Sequence, residues 1–286
     1  MELGHGRYCP DSRVKPGNEE EDKQKIGSKP LNPRPLQQGK ATQVIYKTRK
    51  GQVSSGEPIG ILLLDTAVPF IPGDVANATT YDFPVRFQKV EGYTVARALG
   101  KDPAIYDALK AAAADLVGQG VRAITGDCGF MAFHQERLAD ELEVPVFLSS
   151  LLQIPFMLSI FGAKAKVGVI TADSCSLDAG LLSAVGVTAL DRLVIKGLED
   201  RESFYRFAIE ETGTLDAEAV EAEMVEAGRW IVAQDGSVRA LLLECSLLPP
   251  YAAAVQAAVH MPVFDYITMI NHVFSAVVQR TYGGFI

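Results

Sequence analysis

The sequence predicts an α/β fold of two pseudo-symmetric domains, each Rossmann-like or flavodoxin-like with a parallel sheet, and a site in the cleft between them. From Pro58 onward, apolar runs of strand length alternate with amphipathic helical stretches, which is the pattern of βαβ units in a parallel sheet. Two eight-residue segments, VRAITGDC at 121–128 and VRALLLEC at 238–245, share one frame. Each is typical of a buried strand that ends in an acidic residue and a cysteine, so the repeat indicates one equivalent strand in each domain.

The repeat extends beyond these two segments. VPVF at 144–147 corresponds to MPVF at 261–264, with the same spacing of 117 residues as the two cysteines. IGI at 59–61 corresponds to VGV at 167–169, at a spacing of 108 residues. The difference between the two spacings predicts unequal insertions between the first strand and the cysteine in the two halves.

In the first half, a strand is predicted over 59–64, ending at Asp65 and Thr66. Asp102 and Pro103 then provide an N-cap and a first-turn proline for a helix that closes at glycines 118 and 120. The remaining predicted elements of this half are the strand before Cys128, a helix with Phe130, Phe133, Leu138 and Leu142 on its apolar side, and a strand over 144–148.

The second half repeats this order of elements. Its predicted elements are a strand over 167–171 that ends near Asp173 and Ser174, a helix over about 216–233, the strand before Cys245, a short helix, and a strand over 262–264. A last helix, about 268–279, is expected to pack back on the first domain.

Residues 1–50 differ from the rest because they hold most of the Pro and Gly clusters and few large aliphatic side chains. This composition predicts a disordered or extended N-terminal arm; an arm that wraps around a partner subunit is the alternative. The first α/β domain is predicted over 51–160 together with 266–286, and the second over 161–265.

Composition narrows the functional class. A chain of 286 residues with 48% hydrophobic and 22% charged residues is typical of a globular protein. The net charge of −8 gives no reason to expect nucleic acid or an anionic membrane as a partner. No signal-peptide core is evident, so a cytoplasmic protein is expected. The four cysteines have neither the density of a disulfide framework nor the spacing of a metal site, which predicts free thiols and no metal.

The two repeated cysteines are the candidate catalytic residues. Ligands of parallel sheets bind beyond the carboxyl ends of the strands, where Cys128 and Cys245 are placed. A small residue, Gly129 or Ser246, follows each thiol and precedes a helical stretch. Backbone N–H groups should therefore lie near each sulfur and near a bound carboxylate, which would lower the thiol pKa and favour thiolate.

If the domains face each other, the thiols approach a small-molecule substrate from opposite sides. One thiolate can then remove a proton while the other thiol delivers one, which inverts a carbon stereocentre without a cofactor. The enolate formed next to a carboxylate needs hydrogen-bond donors. The candidate donors at strand ends are Thr66, Ser149, Ser150, Thr171, Ser174 and Ser246.

Other polar residues have weaker signals. Asp127 and Glu244 precede the thiols, and strand alternation would point them away from the site if the strands continue to that point. In the loop 71–80, Asn77 or Thr79 is a candidate substrate contact. His134 is interpreted as a structural helix residue.

On these residues, about 57–286 of the chain resembles the aspartate/glutamate racemase superfamily, which includes hydantoin racemases and related decarboxylases and isomerases. The resemblance rests on a Gly-containing first strand ending in Asp65 and Thr66, the two thiols, and the closing segment PVFD at 262–265. It implies a cofactor-independent two-base enzyme, commonly a homodimer, with Asp65 and Thr66 orienting the first thiol or the substrate amine.

The flanking residues depart from the glutamate racemases. Those enzymes typically have Cys-Asn-Thr and Cys-Thr-His, whereas this chain has CGF at 128–130 and CSL at 245–247. A substrate other than glutamate follows. The resemblance favours an amino-acid, related carboxylate or hydantoin racemase; a decarboxylase or cis-trans isomerase of a small diacid, and a non-catalytic small-molecule-binding protein, remain as alternatives.

Overall fold

A computed structural model describes residues 45–48 and 50–285. Both repeats lie within one compact unit, Lys47–Ile286. Almost all of the predicted N-terminal arm, 1–50, falls outside the described residues. In the described part of the chain, no helix combines the length and the apolar character needed to cross a membrane.

Within residues 50–285, eight strands form two four-stranded, wholly parallel sheets. The first sheet has the order β2-β1-β3-β4 and the second has the equivalent order β6-β5-β7-β8. The strands are β1 (Ile59–Leu63), β2 (Val85–Lys89), β3 (Ala123–Gly126), β4 (Val146–Phe147), β5 (Lys166–Thr171), β6 (Leu193–Gly197), β7 (Val238–Leu243) and β8 (Val263–Phe264). The predicted α/β class with two similar parallel sheets is confirmed.

The strand register confirms the internal repeat. Ile59 of β1 lies opposite Ala123 of β3, and Val167 of β5 lies opposite Ala240 of β7. These pairs are equivalent at the two spacings found in the sequence, 108 residues for the first strand and 117 for the strand before the cysteine. The two sheets therefore place Cys128 and Cys245 at corresponding positions.

Helices cover the sheets and connect the strands. The α-helices are α1 (Val95–Leu99), α2 (Tyr106–Gly118), α3 (Gln135–Glu141), α4 (Ile154–Ile160), α5 (Ala179–Ala184), α6 (Glu202–Phe204), α7 (Ala217–Gln234), α8 (Ala252–Val259) and α9 (Tyr266–Val277). The longer 3-10 helices are Gly129–His134 and Ser150–Gln153, and a π-helix, Tyr205–Ile209, continues α6.

Two strands were missing from the sequence prediction. β2 and β6 each lie at one edge of their sheets, and β2 carries the mixed sequence VRFQK, which has no apolar run. The predicted helix after Cys128 begins instead as a 3-10 helix, and this leaves Phe133 42% exposed. The prediction that Phe133 faces the core is therefore wrong.

The last helix, α9, packs on the first sheet. Tyr266 and Ile270 are buried in a cluster with Ile59 of β1 and Phe147 of β4. Asp265 caps the helix by accepting from the N–H of Thr268 at 2.7 Å. The packing agrees with the expected return of this helix to the first half, while the exact domain boundaries stay a prediction.

A glycine in the first strand of each half lets a helix approach the sheet closely. A Cβ at Gly60 would lie 3.0 Å from Leu116 Cδ1 of α2. At the equivalent Gly168, a Cβ would overlap the side chains of Ile231 in α7 and Leu241 in β7. The repeated glycine is thus required by helix-on-sheet packing.

We expect Gly168→Ala to lower the free energy of unfolding by about 1–3 kcal/mol, because the added methyl group overfills a packed core. Gly118→Ala is the matched control, since a Cβ at Gly118 would meet no atom within 4 Å and alanine is the better helix former. Urea denaturation measures both. Equal stability of the Gly168 variant and the wild type would contradict this packing.

Candidate active site

The repeated strand ends meet at one cavity. Asp127, Cys128 and Gly129 follow β3, and Glu244, Cys245 and Ser246 follow β7; all six line the same cavity. The other lining residues are Leu64, Thr66, Val68, Phe70, Val95, Leu99, Phe130, Ala172, Ala208, Ile209 and Leu247. The cavity volume is about 50 Å³, whereas one water needs roughly 10–15 Å³. A ligand held there must be small, and most of the cavity wall that it would contact is apolar.

Two equivalent contacts join the turns that carry the thiols. The Ser246 hydroxyl donates a hydrogen bond to the carbonyl oxygen of Asp127. In the opposite direction, Gly129 packs so closely on Glu244 that a Cβ would overlap the Glu244 carboxylate. In each turn, the residue that follows the thiol contacts the acid that precedes the other thiol. The two contacts are Ser246 with Asp127 and Gly129 with Glu244.

The two acids lie in the cavity wall, contrary to the expectation that they point away. β3 and β7 end at Gly126 and Leu243, so strand alternation no longer fixes the direction of the residues that follow. Asp127 is 5% exposed, and its Oδ1 accepts from the N–H of Leu64 at 2.9 Å. Sequence reasoning identified both acids but misplaced them.

Glu244 is fully buried and only half satisfied. Its Oε2 accepts from the Thr171 hydroxyl at 3.0 Å and from the N–H of Ala172 at 3.5 Å. Its Oε1 has no hydrogen-bond partner among the described residues. Burying an ionised carboxylate without a partner is costly, so this oxygen is a polar group that the protein itself leaves unpaired.

Charge in the cavity wall comes only from acids. The described lining residues include no Lys, Arg or His. Burial raises the pKa of Asp127 to about 8 and that of Glu244 to about 7. Both carboxyl groups can therefore change protonation near neutral pH, and a positive charge placed beside them would favour their ionised forms.

The thiols differ from the sequence expectation. The backbone N–H groups of Phe130 and Met131 do lower the pKa of the Cys128 thiol, and that of Leu247 lowers the pKa of Cys245. Burial nevertheless raises the pKa of both thiols, and the Glu244 carboxylate raises them further. The prediction of a lowered thiol pKa is wrong because removal from water outweighs the backbone hydrogen bonds.

Thr66 is the predicted substrate donor that lines the cavity from β1. Its hydroxyl donates to Glu211, which also accepts from the N–H of Ala67 at 3.2 Å. Asp65 does not line the cavity. It accepts from the N–H of Gly92 at 3.1 Å and from Lys89 at 3.2 Å, and these two partners lower its pKa.

Apart from Ser246, the structure does not bring the other predicted substrate-contact residues into the cavity lining. Asn77 caps its own loop, accepting from the N–H and hydroxyl of Thr79. Ser149 accepts from the N–H of Leu151 at 3.2 Å, and Ser174 donates to Glu199. Thr171 does not line the cavity, but its hydroxyl donates to Glu244, which does. Substrate contacts of these residues stay predictions that their hydrogen bonds do not support.

Ser150 also lies outside the cavity lining, although it braces the turn after β7. Its hydroxyl donates to the carbonyl oxygens of Leu243 and Glu244, both at 3.1 Å. His134 is buried beside Tyr93, Tyr106 and Phe133, which agrees with its structural interpretation. In the part of the chain that the structure describes, no group of three or more His, Cys, Asp or Glu is arranged to hold a metal ion.

The sequence did not predict one wall of the cavity. Ala208 and Ile209, at the end of the π-helix, line the cavity from the second half. Glu211 follows with a left-handed backbone, φ +53°, and bonds to Thr66 and Ala67 of the first half. A π-helix has no periodicity signal of its own, and π-helical turns are frequent at functional sites.

No protein-family model matches the chain. Its sequence is similar to dimethylsulfoniopropionate lyases. It is 32% identical to dimethylsulfoniopropionate lyase 3 of Emiliania huxleyi over 240 residues, which make up 80% of this chain and 62% of that protein. It is 31% identical to the dimethylsulfoniopropionate lyase of Durusdinium sp. clade D over 216 residues, 73% of this chain and 71% of that protein. The chain thus spans less than two thirds of the length of the Emiliania relative.

Among the solved structures that share the fold at a TM-score of 0.50 are a decarboxylase and two racemases. A mutant arylmalonate decarboxylase with associated sulfate is 17% identical and covers 78% of this chain and 94% of its own. A glutamate racemase of Bacillus anthracis is 11% identical, with 77% and 82% covered. An allantoin racemase of Pseudomonas fluorescens is 17% identical, with 77% and 91% covered. At these identities the likeness shows the shared two-sheet fold.

Between pH 6.5 and pH 8, we expect the midpoint of thermal unfolding to fall as pH rises. Burial raises the pKa of Asp74, Asp127 and Glu244 to about 7, 8 and 7, above their values in the unfolded chain. Each such acid contributes fully to the free energy of unfolding when the pH is below its pKa in the unfolded chain. This contribution is lost as the pH rises through its pKa in the folded protein. Each unit of pKa shift corresponds to about 1.4 kcal/mol. Calorimetry of Asp127→Asn should give a smaller slope.

The window avoids the opposite contribution of His134. Burial lowers the pKa of this histidine to about 4, so the stability it contributes is lost only as pH falls below its unfolded value of about 6.5. A midpoint that is constant or rises from pH 6.5 to 8 would contradict the protonation of the buried acids.

Proposed function

Because the chain belongs to the family of the dimethylsulfoniopropionate lyases, within the aspartate/glutamate/hydantoin racemase superfamily, we propose that it is a lyase that cleaves dimethylsulfoniopropionate by removing a proton next to the carboxylate. The observation that carries the proposal is the shared cavity of Cys128 and Cys245. These thiols reach it from equivalent strand ends, each preceded by a buried acid. No cofactor is assigned a role in this reaction.

The proposed reaction is a β-elimination. Cys128 or Cys245, as thiolate, takes the proton from the carbon next to the carboxylate. The electron pair of that C–H bond forms the new C=C bond, and the pair of the C–S bond leaves with sulfur. The products are acrylate, neutral dimethyl sulfide and a protonated thiol. One positioned base suffices, and such a group typically contributes about 10²- to 10⁴-fold in rate.

The positive charge of this substrate would stabilise a thiolate, for which the described lining residues provide no basic side chain. Burial and the adjacent acids keep both thiols protonated, whereas an opposite charge within a few ångströms favours the ionised form of an acid. A sulfonium group in the cavity would therefore lower the thiol pKa. A substrate with net negative charge would raise it further, because no basic side chain is among the described lining residues.

Racemisation is the second candidate, and the symmetry of the site favours it. Two-base inversion requires an acid and a base on opposite faces of one carbon, and the repeat supplies two thiols in equivalent frames. Decarboxylation would pass through the same carbanion. The proposed substrate-binding residues common to all three reactions are Thr66, Gly129 and Ser246, which line the cavity with the thiols.

Dimethyl sulfide release tests the proposal. Purified protein incubated with dimethylsulfoniopropionate should release dimethyl sulfide, measured by gas chromatography of the headspace. At least one of Cys128→Ser and Cys245→Ser should lose about 10²- to 10⁴-fold in kcat, since elimination needs one base. Cys175→Ser is the matched control, because Cys175 is exposed and does not line the cavity.

Full activity in both cavity variants would remove the thiols from the mechanism. Absence of dimethyl sulfide, with deuterium uptake from D₂O at the α-carbon of amino acids or hydantoins, would replace the lyase with a racemase that needs both cysteines. Light scattering on the same preparation tests the homodimer that the superfamily resemblance implies.

A further inference from the structure

We propose that Asp127 and Glu244 form the subsite for the positively charged head of the substrate, and that this head is a fully alkylated cation, a sulfonium or quaternary ammonium, without N–H donors. This inference rests on the proposed function, since it names the residues that would recognise the sulfonium group. It goes further by making charge recognition, separate from proton transfer, a property of these two acids.

The unpaired oxygen of Glu244 points to a ligand. Glu244 is 0% exposed and lines the cavity, yet its Oε1 has no partner among the described residues. The oxygen lies against Gly129, another lining residue. A Cβ at position 129 would overlap this oxygen, so residue 129 cannot carry a side chain that donates to it. A buried carboxylate normally has a cation or several donors, so the missing countercharge is one that a ligand can provide.

Asp127 gives this subsite a second acid from the other half of the molecule. It is equivalent to Glu244 in the repeat and also lines the cavity. Its pKa and that of Glu244 are both raised by burial to near neutrality. One of the two groups can ionise when a cation arrives, while the other stays protonated, and both can be neutral when it leaves, so the empty cavity does not have to hold an unpaired charge.

The apolar walls select an alkylated cation over a primary ammonium. Most other lining side chains are aliphatic or aromatic, and the walls of both halves contribute them. An ammonium group carries three N–H donors that must each find an acceptor after desolvation. A methylated sulfonium or ammonium has no such donors, and its methyl groups can pack on apolar walls while its charge faces the acids.

A pair of probes that differ only in charge tests this inference. 3-(Trimethylammonio)propanoate has the positive head and a poor leaving group, whereas 4,4-dimethylpentanoate has the same shape with carbon in place of nitrogen. Isothermal titration calorimetry with the full chain should show that the charged probe binds more tightly by about tenfold or more. Equal affinities would overturn the inference, and this comparison needs no variant.

Two substitutions locate the charge preference. Glu244→Gln and Asp127→Asn should each weaken the charged probe by about tenfold or more and leave the neutral probe within about threefold. Glu226→Gln, an exposed acid paired with Arg201, controls for the change in net charge and should alter neither. Loss of both probes to the same extent would show a structural role only, and thermal unfolding of each variant checks that it is folded.

The outcome is separable from that of the lyase assay. A charge preference that depends on Asp127 and Glu244, without dimethyl sulfide release, would keep the subsite and remove the lyase proposal. Dimethyl sulfide release by a protein that binds both probes equally would remove the subsite and keep the lyase.

Discussion

The contact between the turns after β3 and β7 brings the two repeated thiols to one cavity. Gly129 packs on the carboxylate of Glu244, and Ser246 bonds to the backbone of Asp127. Because these residues are equivalent in the repeat, the contact is a pseudo-twofold one, like the self-complementary interface of a symmetric dimer. A side chain at position 129 would push the turns apart and would separate the two thiols that share the cavity.

Close packing of the turns also fixes the electrostatics. It buries Asp127 and Glu244 and leaves Cys128 and Cys245 half-buried in an apolar wall, without a basic side chain among the described lining residues. Removal from water then raises the pKa of all four groups. Under the proposed function, a ligand that supplies positive charge would favour the ionised form of the base, which would link substrate recognition to proton transfer. The second-half wall at Ala208 and Ile209 is followed by Glu211, whose carboxylate accepts from the Thr66 hydroxyl of the first half.

The sequence predicted the fold well where the signal was repeated and apolar. The strand before each cysteine, the long helix α7 capped by Asp216 and the equivalence of the two halves follow from periodicity, capping residues and matched frames. The strand β2 was missed because its sequence, VRFQK, has no continuous apolar run, whereas β6 was missed although it begins with the apolar run LVI. In the site, the thiols, Gly129, Thr66 and Ser246 were predictable from their positions at strand ends. Asp127 and Glu244 were misplaced because a strand that ends one residue earlier changes the direction of the next side chain. The wall at Ala208 comes from a π-helix far along the chain, which no local pattern indicates.

The central claim is that both repeated thiols open into one cavity. It is tested most directly by native treatment with a short bifunctional thiol reagent such as dibromobimane, followed by peptide mass mapping. The structure predicts one cross-link, between Cys128 and Cys245, that is absent from Cys128→Ser and that leaves the exposed Cys175 without a link to either. Independent alkylation of Cys128 and Cys245, with no peptide joining them, would contradict the shared cavity and the mechanism built on it.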